Sequence, residues 1–545
     1  MKYLFPLLLV PVLAVGQTRT GTITIIDDDT PPAPQDELIF QDVFSTVIDS
    51  GGLTTQRFAI ADCDFNRDGY RDLVIGDHAY PSGVQRDIQI YQGDAQLTFN
   101  RLLVGGHQSD TSSLRRITSG HSCVDINGDG WQDLYGPDAD GGDAGRLTNT
   151  TPTSGVAITF TGRTVGCKGG KNRCWSFDFD GDGDLDRVED ALVTPTRSRR
   201  ILDWATETEL LGDDTAKSDD NAIVADFDGD GWADILYPRP GIMYWNDGGS
   251  LTKATSFSIN TSLTTSTFNA RNFAVGDFDR DGDVDLILRL VDNTFSNTPT
   301  WLFVYRNNGG RSGFTDVAAT SGIPLGNQQG GTQTSIQGTG AYANLFAGDF
   351  NLDGCTDVLV PVERLTTDTG NRHALWIADC DMTFTRNNEA LDGILMPDDS
   401  GKTYIKGVDW DWDGDLDVVG TAPSTANIMI RRNVTNYSNR HSLNVRVKGP
   451  SGNVDSLHAI LNVWDTGRSF RVSTVQIQEG MQGQLYPTVG LGANTQVDIF
   501  VQCPPRSGSI GPTGWLDNIG SNQNIVIDCS GSTPSWGVYV PGNNW

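Results

Sequence analysis

From about residue 38 onward the chain alternates short apolar runs with polar turns, and nowhere sustains a helical period. FAIADCD, NAIVADFD, FAVGDFD and LFAGDF each lead into an acidic turn, while DLVIG, DILYP, DLILR and DVLVP each follow one. Runs of this length, rich in β-branched and aromatic residues, predict buried strands joined through the turn. The turn itself recurs. A nine-residue pattern, D-x-[DN]-x-D-G-x-x-D, begins at Asp64, Asp125, Asp178, Asp226, Asp277, Asp349 and Asp409, at intervals of 61, 53, 48, 51, 72 and 60 residues. Each interval is the length of four short strands with their loops.

That period predicts an all-β chain with a seven-bladed β-propeller over residues 38–435. The turn has its own chemistry. A calcium ion takes six to eight hard oxygen ligands, and a chain wrapped around it offers side chains at positions one, three and five. Glycine at six allows the sharp bend, a carbonyl serves at seven, and aspartate at nine closes the cage. The predicted ligands are Asp64, Asn66, Asp68 and Asp72 in the first loop and Asp125, Asn127, Asp129 and Asp133 in the second. The third and fourth supply Asp178, Asp180, Asp182 and Asp186, then Asp226, Asp228, Asp230 and Asp234. The fifth has Asp277, Asp279, Asp281 and Asp285, the sixth Asp349, Asn351, Asp353 and Asp357, and the seventh Asp409, Asp411, Asp413 and Asp417. About seven Ca2+ sites are therefore expected.

Charge supports this reading. The formal net charge is −30, yet 25 of the 28 ligand positions are aspartate, and without them 44 acids face 39 basic residues. Nearly all the excess sits in the loops, where carboxylates in close pairs repel by a few kcal/mol at an effective dielectric near 20 unless a cation lies among them. A single such turn reads equally well as a hydrogen-bonded Asx-turn; seven in register do not. An EF-hand would need glutamate at position twelve, which here is Ile75, Gly136, Glu189, Tyr237, Leu288, Val360 or Gly420. Nonapeptide calcium solenoids have far shorter periods.

These loops and their flanks, with the segment WLFVYRNNGGRSGFTDVAATSGI from Trp301 to Ile323, resemble the FG-GAP or VCBS repeats that include the propeller head of integrin α-chains. The resemblance implies calcium loops on one face and partners on the other. The facing loops would be Asp77 to Asp87, Gly136 to Gly145, Tyr237 to Gly241, Val291 to Thr300 and Pro361 to Arg372, with the insertion Gly326 to Gly340 as a further contact. The stretches NRHSLNVRVKG, LHAILNVW, GLGANTQVDIFVQCPP and NQNIVI are similar to the ASPIC/UnbV β-domain, with Cys503 where that family has tryptophan, and the resemblance implies a small C-terminal β-domain with its tail over 436–545.

At the N-terminus, Lys2, the apolar run Leu4 to Val15 and the small residues Ala14-Val15-Gly16 read as a signal peptide over 1–16, which predicts export. An arm over 17–37 follows, in which GTITIIDDD resembles the last strand of a Calx-beta domain and Pro31, Pro32 and Pro34 form a spacer. Eight cysteines suit an oxidising compartment. Spacing suggests Cys167 with Cys174 and Cys355 with Cys380; Cys63 with Cys123 and Cys503 with Cys529 would be the remainder, a connectivity that spacing does not fix.

No catalytic constellation stands out. His78, His107, His121, His373, His441 and His458 are scattered, and the loop carboxylates are committed to metal. The acidic balance argues against nucleic acid, and no later apolar stretch is long enough to span a membrane. The expectation is a secreted, non-enzymatic recognition or adhesion module for extracellular protein or glycan. The alternatives are a structural subunit that self-assembles by strand donation from the arm, and a polysaccharide-degrading enzyme. Four sequons, at Asn149, Asn260, Asn433 and Asn436, are candidate glycosylation sites.

Overall fold

Every acidic turn joins two antiparallel strands, and its last aspartate is the first residue of the second strand. The computed structural model describes residues 38–43, 57–77, 89–102, 122–136, 145–154, 158–165, 175–193, 196–204, 208–213, 222–238, 241–254, 268–292, 300–323, 344–363, 372–387, 405–422, 427–450, 453, 455–478 and 484–541. The predicted signal segment, the arm, the Cys167 and Cys174 pair and Asn260 lie outside the described residues.

Six units are four-stranded antiparallel meanders cut from consecutive stretches of chain. The fourth, for example, runs Ile223–Ala225, Asp234–Tyr237, Ile242–Asn246 and Leu251–Ala254. The seventh differs: Ile405–Val408, Asp417–Ala422 and Asn427–Asn433 are completed by Phe40–Asp42 from the other end of the chain, with Phe40 opposite Asn433. First strands such as Ser122–Val124, Ile223–Ala225 and Phe346–Gly348 are buried at every residue. A sheet covered on both faces requires this, and it is why these segments read as unbroken apolar runs.

Each sheet packs on the next. Phe65 and Val74 of the first meet Leu134 and Phe160 of the second. Tyr135 of the second lies 5.3 Å from Trp204 of the third. Phe177, Ile235 and Phe303 join the third, fourth and fifth, Val304 meets Trp376 in the sixth, and Leu359 meets Val418 in the seventh. Val408, Trp410 and Ile430 of the seventh then pack on Leu73, Tyr91 and Phe99 of the first. The result is an all-β, β-propeller-like fold.

From His441 the chain forms two further four-stranded sheets. One contains His441–Lys448 paired in parallel with Gln523–Asp528, and the other contains Ile460–Asp465 between Arg471–Gln476 and Gln496–Gln502. Val445 and Ile527 of the first sheet meet Val463 and Ile499 of the second in a common core, so the two form a sandwich. The expected disulfides Cys63–Cys123, Cys355–Cys380 and Cys503–Cys529 are all formed. The first joins the inner strands of neighbouring sheets, and the last joins the two sheets of the sandwich. No helix among the described residues is long and apolar enough to cross a membrane.

Candidate metal centres

One backbone shape serves all seven loops. Position four is left-handed in each: Arg67 (φ 54°), Gly128 (71°), Gly181 (70°), Gly229 (75°), Arg280 (60°), Leu352 (60°) and Trp412 (61°). The glycine at position six has φ between 88° at Gly354 and 99° at Gly183, a region that side chains with a Cβ avoid. Its N–H donates to the position-one carboxylate in every loop, from 2.7 Å at Gly130 and Gly354 to 3.1 Å at Gly69 and Gly183. The four larger residues at position four hold a conformation that is strained unless the surroundings fix it.

Position nine ties the loop to its sheet. Asp234 accepts the N–H of Phe227 at 3.0 Å with one oxygen and that of Asn246, on the third strand, at 2.9 Å with the other. Asp72, Asp285, Asp357 and Asp417 make the same pair of bonds. These aspartates are fully buried.

In four loops the structure brings three carboxylates to within 4.8 Å of one another: Asp178, Asp180 and Asp186; Asp226, Asp228 and Asp230; Asp277, Asp279 and Asp285; Asp409, Asp411 and Asp417. The fourth predicted ligand of each, Asp182, Asp234, Asp281 or Asp413, stands outside its triad. In the other three loops, Asn66, Asn127 and Asn351 turn their amide N–H toward Asp68, Asp129 and Asp353 at 2.8, 2.9 and 2.9 Å. Asp64, Asp125 and Asp349 accept the position-five N–H in these loops, and Asp133 accepts that of Asn149 at 2.7 Å. Asp353 also approaches Cys355 and Cys380, but their sulfurs are joined in a disulfide.

The donor set fits a hard divalent cation. One oxygen each of Asp277 and Asp409 is buried without a hydrogen-bond partner, and a buried acceptor left in that state costs about 1–3 kcal/mol. Burial, reinforced by neighbouring carboxylates, pushes Asp178 up to about 8 and Asp186, Asp234 and Asp285 up to about 9. Asp125, Asp133, Asp226, Asp277 and Asp409 rise to about 7 for the same first reason. A cation at the ring of oxygens would supply the positive charge that otherwise comes from protons. Arginines supply part of it in at least five loops: Arg311 reaches Asp228 at 2.6 Å, Arg432 contacts Asp411 and lies 3.1 Å from Asp413, and Arg446, Arg146 and Arg440 lie 2.9, 3.4 and 3.3 Å from Asp64, Asp133 and Asp353.

Two features escaped the sequence reading. The first is an asparagine at the end of the third strand. Asn149, Asn246 and Asn307 give their side-chain amides both to the position-eight carbonyl of their own loop and to the position-two carbonyl of the preceding sheet's loop. Asn433 makes longer versions of both, at 3.4 and 3.5 Å. Asn149 and Asn433 are 1% and 0% exposed, so these two sequons are structural pins rather than glycan acceptors. Asn436 is exposed.

The second is the seat of the C-terminal sandwich, which rests on the loops themselves. Arg446 bonds Asp64 at 2.9 Å, Asn444 bonds Asp409 at 2.6 Å, and Gln132 of the second loop bonds Asp455 at 3.0 Å. The N–H groups of Gly492 and Gly508 donate to the carbonyls of Leu352 and Gly181, at 3.0 and 2.7 Å. Arg471 reaches the carbonyl of Arg280, and Gln502 abuts Gly231 in the fourth loop. All seven loops thus meet one domain. The loops expected to face a partner are incompletely described, and the insertion 326–340 lies outside the described residues.

Residues 226–288, from the fourth loop into the strand after the fifth, match an FG-GAP-like repeat. No curated protein matches the sequence. Among solved structures, the chain is similar to the rhamnogalacturonan lyase YesW at 13% identity, over 72% of this chain and 74% of that one, with a TM-score of 0.37. The exotype rhamnogalacturonan lyase YesX gives 11% identity, 83% and 84% coverage and a TM-score of 0.25. Likeness at this level assigns no activity.

Proposed function

We propose that the chain is a secreted, calcium-loaded β-propeller of seven blades, closed by Phe40–Asp42 and followed by an ASPIC/UnbV-like domain, that recognises extracellular protein or glycan. One observation carries this reading: seven loops with the same left-handed turns at positions four and six, four of them gathering three carboxylates within 4.8 Å, all lie beneath the same C-terminal sandwich. Cations there brace the blades, and the sandwich covers that face. The opposite ends of the sheets are left to a partner, as in the propellers the repeats resemble. Three disulfides fit an oxidising compartment.

The test is binding of the purified chain to immobilised extracellular glycans and matrix proteins, with calcium and with chelator. Saturable binding lost on chelation is expected. Depolymerisation of a polysaccharide, or absence of binding together with assembly into polymers, would replace this reading with an enzyme or a structural subunit.

A further inference from the structure

We propose that the C-terminal sandwich is seated by the metal loops, so that cation loading and domain docking form a single linked equilibrium. The inference rests on the calcium reading above. Its basis is where the contacts fall. Gly508, Gly492 and Arg471 bond the carbonyls of Gly181, Leu352 and Arg280, and each of these is position four of its loop. Those residues all have left-handed backbones, and that conformation sets the direction of the adjoining peptide group. For Arg280 and Leu352 it is held against strain.

The loop that closes on a cation is therefore the loop that carries acceptors for the sandwich. Contacts at position one reinforce this. Asp64 Oδ2 accepts from Arg446 and Asp409 Oδ2 accepts from Asn444, while the other oxygen of Asp409 is buried with no hydrogen-bond partner. Arg446 and Asp64 are 3% and 2% exposed, a desolvated pair that forms only when the domains are together. At the sixth loop the fit has no slack, because a Cβ on Gly490 would collide with the Asp349 carboxylate and with Leu352.

When the cations leave, carboxylates packed within a few ångströms repel one another, the loops relax, and the acceptors at position four are lost. By linkage, whatever lifts the sandwich must weaken cation binding by the same factor.

Hydrogen exchange on the full chain, in millimolar calcium and after chelation, tests this, with elemental analysis of the same samples. Peptides holding Leu485, Gly492 and Gly508 should exchange at least tenfold faster once calcium is removed, while the sandwich core around Val463 and Ile499 stays protected. Unchanged protection in samples shown to have lost calcium overturns the linkage and leaves the metal reading standing. Untreated protein without calcium overturns both. As a second arm, Gly490→Ala, whose new Cβ meets only the sixth loop, leaves the ligands of the other loops untouched and should lower calcium affinity at two or more sites at least fivefold. An isotherm identical to that of the parent protein, or a change confined to one site, overturns the proposal.

Discussion

Asn307, at the end of the fifth sheet's third strand, gives its side-chain amide to the carbonyl of Phe227 in the fourth sheet's loop at 2.8 Å. It also reaches Val284 in its own loop at 3.1 Å. A single buried side chain thereby fixes two acidic loops relative to each other. Asn307→Ala strands two buried carbonyls, and leaving such groups unpaired costs about 1–3 kcal/mol. Urea denaturation in saturating calcium should show that loss, and Asn307→Asp, which cannot donate, should be at least as destabilising.

Proton occupancy of the loops sets a pH dependence. Asp178, Asp186, Asp234 and Asp285 have folded-state values raised to about 8 or 9, first by burial. The unfolded chain ionises near the ordinary aspartate value of about 4. A raised value means that the metal-free folded state is most favoured below the unfolded value and loses stability as pH rises through the folded ones. In chelator, the melting temperature should fall steadily between about pH 4 and pH 9. In excess calcium it should rise over the same range, because the ion displaces protons.

Arg311 is partly exposed and, through Asp228, is placed to compete with a cation at the fourth loop, while also holding Asp247 at 2.6 Å. Arg311→Met should tighten one calcium site by roughly threefold, since an exposed ion pair is worth little more than about 1 kcal/mol. Calorimetric titration checks this, with Lys253→Met, whose ammonium lies over the Tyr244 ring, as a charge control.

Cys503–Cys529 spans 26 residues and joins the two sheets of the sandwich. Replacing both cysteines with serine should destabilise that domain by about 2–4 kcal/mol, read as earlier loss of its protected amides in denaturant.

The loops were legible because each needs its chemistry within nine consecutive residues. Spacing, glycine placement and strand boundaries are local, so Asp285 could be read both as the start of a strand and as part of an acidic cluster. The pins were harder to see. Asn149, Asn246, Asn307 and Asn433 recur at strand ends, yet their targets lie in another sheet, and asparagine there reads first as a turn residue or a sequon. The sandwich left no sequence signal of its seat, because Arg446 and Asp64 are 382 residues apart and a buried ion pair has no period. Phe40–Asp42 was equally hidden, being three residues long and paired with Arg431–Asn433.

Counting ions tests the central claim most directly. Native mass spectrometry of the chain exchanged into calcium-containing volatile buffer should show about seven bound Ca2+ per molecule, falling by one when Asp226 and Asp228 are both changed to asparagine. A spectrum dominated by metal-free protein under those conditions would contradict the account.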